Sequence, residues 1–164
     1  MMICTNEGCA TEFFPRVDPA IIVLVTQGDQ TLLGRQTSWP AGRYSTIAGF
    51  VEPGESLEDA VRREVLEETG IVTSTTSYQS SQPWPFPRSL MLGFRAEAIS
   101  TEIRLGDEEL EDARWFTRAE IAAGTSLLPF PQSIAFRLIQ EWYDESAARP
   151  LTEEAGVRGW DRHR

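Results

Sequence analysis

The chain has 164 residues, 41% of them hydrophobic, and a formal net charge of -10, with all 15 basic residues arginine. That length supports one domain with a proper core and not two full-sized ones. An acidic chain without lysine excludes a lysine-cluster surface for bare nucleic acid and favours divalent cations as partners. No apolar run approaches the roughly 20 residues that cross a bilayer, and residues 1–9 lack a basic segment leading into an apolar one. A soluble cytoplasmic protein without a membrane partner is therefore expected. Cys4 and Cys9 are the only cysteines, too few for the disulfide framework of a secreted mini-domain, so reduced or metal-bound thiols are expected.

In chain order, Ala20-Ile-Ile-Val-Leu-Val25 is a β-branched run followed by the turn signal Gly28-Asp29-Gln30 and a second run at residues 31–33, which predicts a hairpin. A third strand is expected over residues 44–50. Ser56 then reads as a helix N-cap, Asp59 as a weaker stand-in for the Glu of a capping box, and Gly70 as the stop, which predicts a helix over residues 57–69. A Ser- and Thr-rich connection leads into Ser81-Gln-Pro-Trp-Pro-Phe-Pro87, whose alternate prolines exclude a helix or a central strand and predict an ordered loop or linker. Strands are expected near residues 90–98 and 113–116, a short helix near 118–123 and a longer one over 131–145. Residues 147–164 have Pro150, mixed charge and little apolar periodicity, and read as a tail that is at least partly disordered, with the sole histidine, His163, an uninvolved member of it.

In the predicted helix over 57–69, a rotation of about 100° per residue gathers Leu57, Ala60, Val61 and Val65 on the face that packs against the sheet. Glu64 and Glu68 fall within that stripe, and Glu67 lies at its edge. Carboxylates are costly there unless cations hold them, and a cluster of this kind suits hard ions such as Mg2+ or Mn2+. A solvated acidic helix is the alternative: Arg63 and Glu67 have i,i+4 spacing, whereas Arg63 is not expected to neutralise Glu64 and Glu68 as well. Spacing alone leaves both open.

Gly49, five residues, Glu55, seven residues and then Arg63-Glu64-Val65-Leu66-Glu67-Glu68-Thr69-Gly70-Ile71 resembles the signature of the Nudix hydrolases at every defined position. The resemblance implies an α/β fold, an α/β/α sandwich with a mixed β-sheet, in which a loop-helix-loop holds divalent metal against a diphosphate. It implies Glu64, Glu67 and Glu68 as catalytic residues. Glu64, Glu68 and the carbonyl of Ala48 are implied as metal ligands, with Glu67 either a further ligand, through water, or a partner of Arg63. Gly49 and Gly54 allow close backbone approach, and Glu55 orients Arg63 or the loop.

The stretch from Ser81 to Met91 is similar to the proline-aromatic array of the NADH pyrophosphatase subfamily. That similarity implies a dinucleotide site lined by Gln82, Trp84, Phe86, Arg88 and Ser89, the prolines stiffening it and the aromatics offering faces to flat rings. Without the signature, a proline-rich linker or peptide ligand would be the plainer account. Glu109 aligns with a third metal-ligand carboxylate, or is plain solvated surface, and Phe14 and Ala135 fall at substrate contacts. The subfamily carries an upstream domain and a four-cysteine zinc ribbon; Phe14-Pro15-Arg16-Val17-Asp18-Pro19 resembles the stretch after its second cysteine pair. Cys4 and Cys9 have four residues between them instead of two, with no further Cys or nearby His, so they are possible zinc ligands, but zinc held within one chain is not expected.

These resemblances divide the chain into a zinc-ribbon-like remnant at 1–15, a Nudix hydrolase domain at 16–146 and the tail at 147–164. They imply metal-dependent hydrolysis of NADH or NAD to nicotinamide mononucleotide and AMP, NAD-capped RNA as a further substrate, and a homodimer. The alternatives are a broader hydrolase of ADP-ribose and other dinucleotides, and a non-catalytic nucleotide-sensing module.

Overall fold

The run Ala20–Val25 is apolar at every position because its strand is buried on both faces. In the computed structural model, which describes residues 1–106 and 109–160, it lies within β3 (Asp18–Gln27). Ile21, Val23 and Val25 join one core cluster, Ile22 and Leu24 the other. β4 (Gln30–Gln36) closes the expected hairpin, and β5 (Ile47–Phe50) pairs antiparallel with the first half of β3, Ile22 opposite Ala48 and Ile21 opposite Gly49.

The remaining elements are α1 (Leu57–Thr69), β6 (Thr73–Trp84), β7 (Ser89–Ala98), β8 (Leu110–Thr117), α2 (Arg118–Ala122), β9 (Leu127–Leu128) and α3 (Ile134–Asp144). The main sheet runs β6-β7-β3-β4-β8 with β5 beside β3; the β3–β7 pair is parallel and the other pairs antiparallel, so the sheet is mixed. α1 covers one face through Val61 and Val65, and α3 covers the other through Ile139 and Trp142. This is the α/β/α sandwich with mixed sheet that the sequence leads one to expect. Among the described residues no helix is long and apolar enough to cross a membrane.

Two expectations need correction. The Ser- and Thr-rich connection and the start of the proline array form one long strand, β6, and only residues 85–88 make the turn into β7. β6 is an edge strand, so Pro83, opposite Leu90, leaves no central ladder broken. The expected tail is also structured through residue 160. Leu151 is fully buried under α3, and β10 (Arg158–Gly159) pairs parallel with β9. Its few apolar residues are spent on single anchoring contacts, which leave no period to detect. His163 lies outside the described residues. A short hairpin of β1 (Met2–Ile3) and β2 (Glu12–Phe13) precedes the sheet.

Trp142 is 1% exposed at the centre of the α3-side core. Trp142→Ala is expected to cost about 3–5 kcal/mol, read as a lower urea midpoint with an unchanged slope.

Candidate functional site

β5 delivers the chain into the loop before α1, and both ends of the helix are set locally. The Ser56 hydroxyl accepts from the Asp59 amide at 3.1 Å, and Gly70 ends the helix at φ 69°, with its N–H donating to the Leu66 carbonyl. A side chain at Gly49 would place its Cβ 1.9 Å from the Glu64 carboxyl carbon, so glycine there is what lets β5 lie against that carboxylate. The buried face of α1 contains Ala60, Val61, Val65, Glu64 and Glu68. Leu57, expected on the same stripe, is partly buried against it. The two glutamates thus lie on the packed face of the helix.

One cation serves most of this charge. Arg63 donates through Nε and Nη2 to the two oxygens of Glu55 at 3.1 and 2.7 Å, and through Nη2 to the Phe50 carbonyl at 2.9 Å. Its Nη1 donates to Glu64 at 2.8 Å and to Glu67 at 3.1 Å. The expected Arg63–Glu67 pair is therefore present, but the expectation that Arg63 would miss Glu64 is corrected, because the side chain lies across the helix and reaches both. A guanidinium has five N–H donors, and all are used. Among the described residues, neither hydrogen bond nor ion pair reaches the carboxyl of Glu68, which is 7% exposed. Burial pushes its carboxyl up to about 8, and repulsion from Glu109, Glu64 and Glu67 adds to the effect. The Glu64 carboxyl is also raised by burial, an effect that Arg63 partly offsets.

These oxygens suit a hard divalent cation. Several carboxylates repel one another beside a single exhausted guanidinium, and the glycine at 49 keeps backbone close to one of them. Among the described residues, no three Asp, Glu, His or Cys side chains stand gathered tightly enough to hold a metal ion as they are. Glu109, on the segment entering β8, is exposed, and Glu67 is exposed at the edge of α1.

Glu68, Ala48, Trp84 and Ala135 line one cavity of ≈ 250 Å³ between the sheet and the start of α3. The other expected substrate residues lie elsewhere. Gln82 is committed to the chain itself, its amide donating to the Gln132 carbonyl at 2.9 Å and accepting from the Ile134 amide at 2.8 Å. Arg88 donates to Asp18 at 2.8 Å, and Ser89 is buried in the sheet. Phe14 and Phe86 are 64% and 73% exposed, with Phe86 edge-on to Trp84 at 5.7 Å between ring centres. Missed from the sequence were Trp39, Phe130, Trp160 and Thr46, which also line the cavity. The sole signal for Trp160 was one large aromatic in an otherwise polar tail. At the N-terminus, Cys4 and Cys9 are free and exposed, and the Cys9 thiol is lowered by its hydrogen bond with Thr11.

Residues 16–135 match the NUDIX domain family. The chain is 49% identical over 143 residues to an "NAD-capped RNA hydrolase NudC" from Stutzerimonas stutzeri (strain A1501), covering 87% of this chain and 50% of that protein. It is 44% identical over 155 residues to the human "NAD-capped RNA hydrolase NUDT12", covering 85% of this chain and 34% of that protein. The chain thus spans about half and about a third of these relatives' lengths. Among solved structures, a NUDIX hydrolase from Nitrosomonas europaea superposes with a TM-score of 0.63 at 26% identity, over 84% of this chain and 95% of that one. The NUDIX domain of Shewanella oneidensis NrtR, complexed with ADP ribose, superposes with a TM-score of 0.64 at 20% identity, over 80% and 89%, and shares the fold.

The buried Glu68 gives a pH test. Its folded pKa, about 8, lies above the unfolded value of 4.5, so between these the folded state binds more protons and stability falls as pH rises. In chelator, Glu68→Gln is expected to match the parent in Tm near pH 5 and to exceed it increasingly towards pH 8.5. A Tm difference that does not change with pH would contradict this.

Proposed function

The chain belongs to the Nudix family, and we propose that it is a metal-dependent diphosphatase that hydrolyses NADH or NAD to nicotinamide mononucleotide and AMP. The observation that carries this is Glu68, a buried carboxylate without a cationic partner among the described residues, opening onto a cavity whose wall includes Trp84. The names of the relatives support a substrate built on NAD and include its RNA-capped form, which we propose as a further substrate. The match of Ser81–Met91 to the proline-aromatic array supports placing the chain in the NADH pyrophosphatase subfamily. The β1–β2 hairpin with Cys4 and Cys9 then corresponds to half a zinc ribbon, ahead of a hydrolase domain at 16–146.

In this proposal Glu64, Glu68, Glu109 and the Ala48 carbonyl hold Mg2+ or Mn2+. When bound, the cation would neutralise the diphosphate oxygens and make a water more acidic. The chain's own residues do the rest. Arg63 fixes the Glu64 carboxylate against Gly49 and holds one oxygen of Glu67, leaving the other to take the proton of the attacking water. Trp84 and Phe86 offer ring faces to a base. The protein works in the cytoplasm as a homodimer, and the exposed side chains of Phe13, Phe14, Phe50 and Phe86 are apolar surface for a second copy to cover.

One observation favours the broader hydrolase of ADP-ribose and related dinucleotides: Gln82 and Arg88, two of the polar members of the array, are engaged within the chain. A panel of NADH, NAD, ADP-ribose and NAD-capped RNA, with Mg2+, with Mn2+ and with chelator, separates the two. AMP release from NADH ahead of the others is expected; equal rates would favour the broad enzyme, and no metal-dependent turnover would overturn both. Glu68→Gln is expected to lower kcat at least about 10²-fold, the upper end of what losing even a supporting partner of a metal ligand costs, with the circular dichroism of the fold unchanged.

A further inference from the structure

The segment after α3 belongs to the cavity as much as to the surface. Leu151 is fully buried, its amide donates to Asp144 at 2.7 Å, and Glu154 accepts from the Tyr143 hydroxyl at 3.1 Å. Further on, Gly156 crosses the turn after α2 backbone against backbone: a Cβ on Gly156 would lie 2.2 Å from the Ala122 carbonyl oxygen, and one on Gly124 2.1 Å from that of Gly156. These contacts aim the chain along β9, where the Trp160 amide donates to the Leu128 carbonyl and its indole N–H to the Leu127 carbonyl, both at 2.8 Å.

Trp160 is thereby held edge-on to Trp39, at 4.8 Å between ring centres, and to Phe130, at 5.8 Å. These three rings share the cavity with Glu68 and Trp84. Thr46 lines it too; it is 6% exposed, and its hydroxyl has no hydrogen-bond partner among the described residues. A buried hydroxyl without a partner is costly unless a bound molecule completes it. An aromatic wall beside such a hydroxyl suits a flat ring with polar edges. The volume, ≈ 250 Å³, falls below the roughly 300–1,000 Å³ that encloses a whole drug-sized ligand, so it accommodates one nucleotide half of a dinucleotide.

We propose that Trp160, with Trp39 and Phe130, forms a base-binding subsite, and that the segment from Pro150 to Trp160 is thereby a specificity-determining part of the enzyme. The ligand is the heteroaromatic base of one nucleotide half, purine or pyridine, stacked on this wall with Thr46 bonding its edge. The proposal rests on the diphosphatase assignment for its substrate, while the ring subsite can be measured without turnover.

The experiment is calorimetric titration of the full chain, in chelator, with AMP and separately with nicotinamide mononucleotide. Whichever mononucleotide binds identifies the base. Trp160→Ala is expected to weaken that binding about tenfold or more, the size of one stacked base, and Trp160→Phe to stay within about threefold of the parent. Gly156→Ala, which displaces the segment without altering any cavity residue, is expected to weaken binding as Trp160→Ala does. With the intact dinucleotide and metal, Trp160→Ala should raise KM by the same factor while kcat moves less than about threefold. Should the alanine variant fail to fold, Trp160→Leu, which keeps apolar bulk and removes the ring, takes its place. Unchanged binding of both mononucleotides in the folded Trp160 variant, or no binding of either by the parent, would overturn the subsite. A parent that turns over no dinucleotide yet loses AMP binding on Trp160→Ala would overturn the diphosphatase and leave the subsite standing.

Discussion

The Arg63 guanidinium ties the loop after β5 to α1 and decides how charge is distributed across the site. It spends two donors on Glu55, one on the Phe50 carbonyl, one on Glu64 and one on Glu67. A lysine has three donors from a single point and could not span these partners. Since the guanidinium has no sixth N–H, Glu68 keeps its buried carboxyl without a cationic partner among the described residues, and its pKa rises to about 8. The tie that rigidifies the loop thus leaves at the cavity edge a carboxyl that burial keeps protonated to about pH 8 and that a divalent cation would hold ionised.

That edge exists because of how the sheet is assembled. β3 is buried on both faces and takes partners along its length, β5 at its start and β4 at its end. Ala48 and Gly49, opposite Ile22 and Ile21, therefore lie where the sheet meets α1 on one side and the cavity on the other. The close approach of Gly49 to Glu64 shows how little room is left: a single methyl group would displace the carboxylate. The same crowding that makes the packing dense makes the Glu64 carboxylate positionally defined.

The far wall of the cavity comes from parts of the chain distant in sequence. Trp39 follows β4, Phe130 precedes α3, and Trp160 arrives through a segment anchored by Leu151 and two closely packed glycines. The edge strand β6 contributes Trp84 while Gln82 is tied to the start of α3. Within the proline-aromatic array, then, one ring faces the cavity and one amide serves the fold: Gln82 and Trp84, two residues apart on β6, share one face of the strand, the amide bonding the backbone at the start of α3 and the ring lining the cavity.

The sequence alone determined the local features: the Ser56 cap and Gly70 stop of α1, the strand and hairpin begun by the apolar run Ala20–Val25, the carboxylates on the packed face of α1, and the family signature from Gly49 to Ile71. Each depends on residues within a turn or two of one another, where periodicity and capping chemistry act directly. It gave no account of β6, whose Ser- and Thr-rich face is solvated, nor of the structure at 150–160, held by isolated contacts. Only the tertiary structure decided that Arg63 reaches Glu64 as well as Glu67, that Glu68 is left without a cation, and that Trp39, Phe130 and Trp160 meet. Those outcomes depend on which groups compete for the same few donors and the same small volume, and that competition arises only when distant segments are packed together.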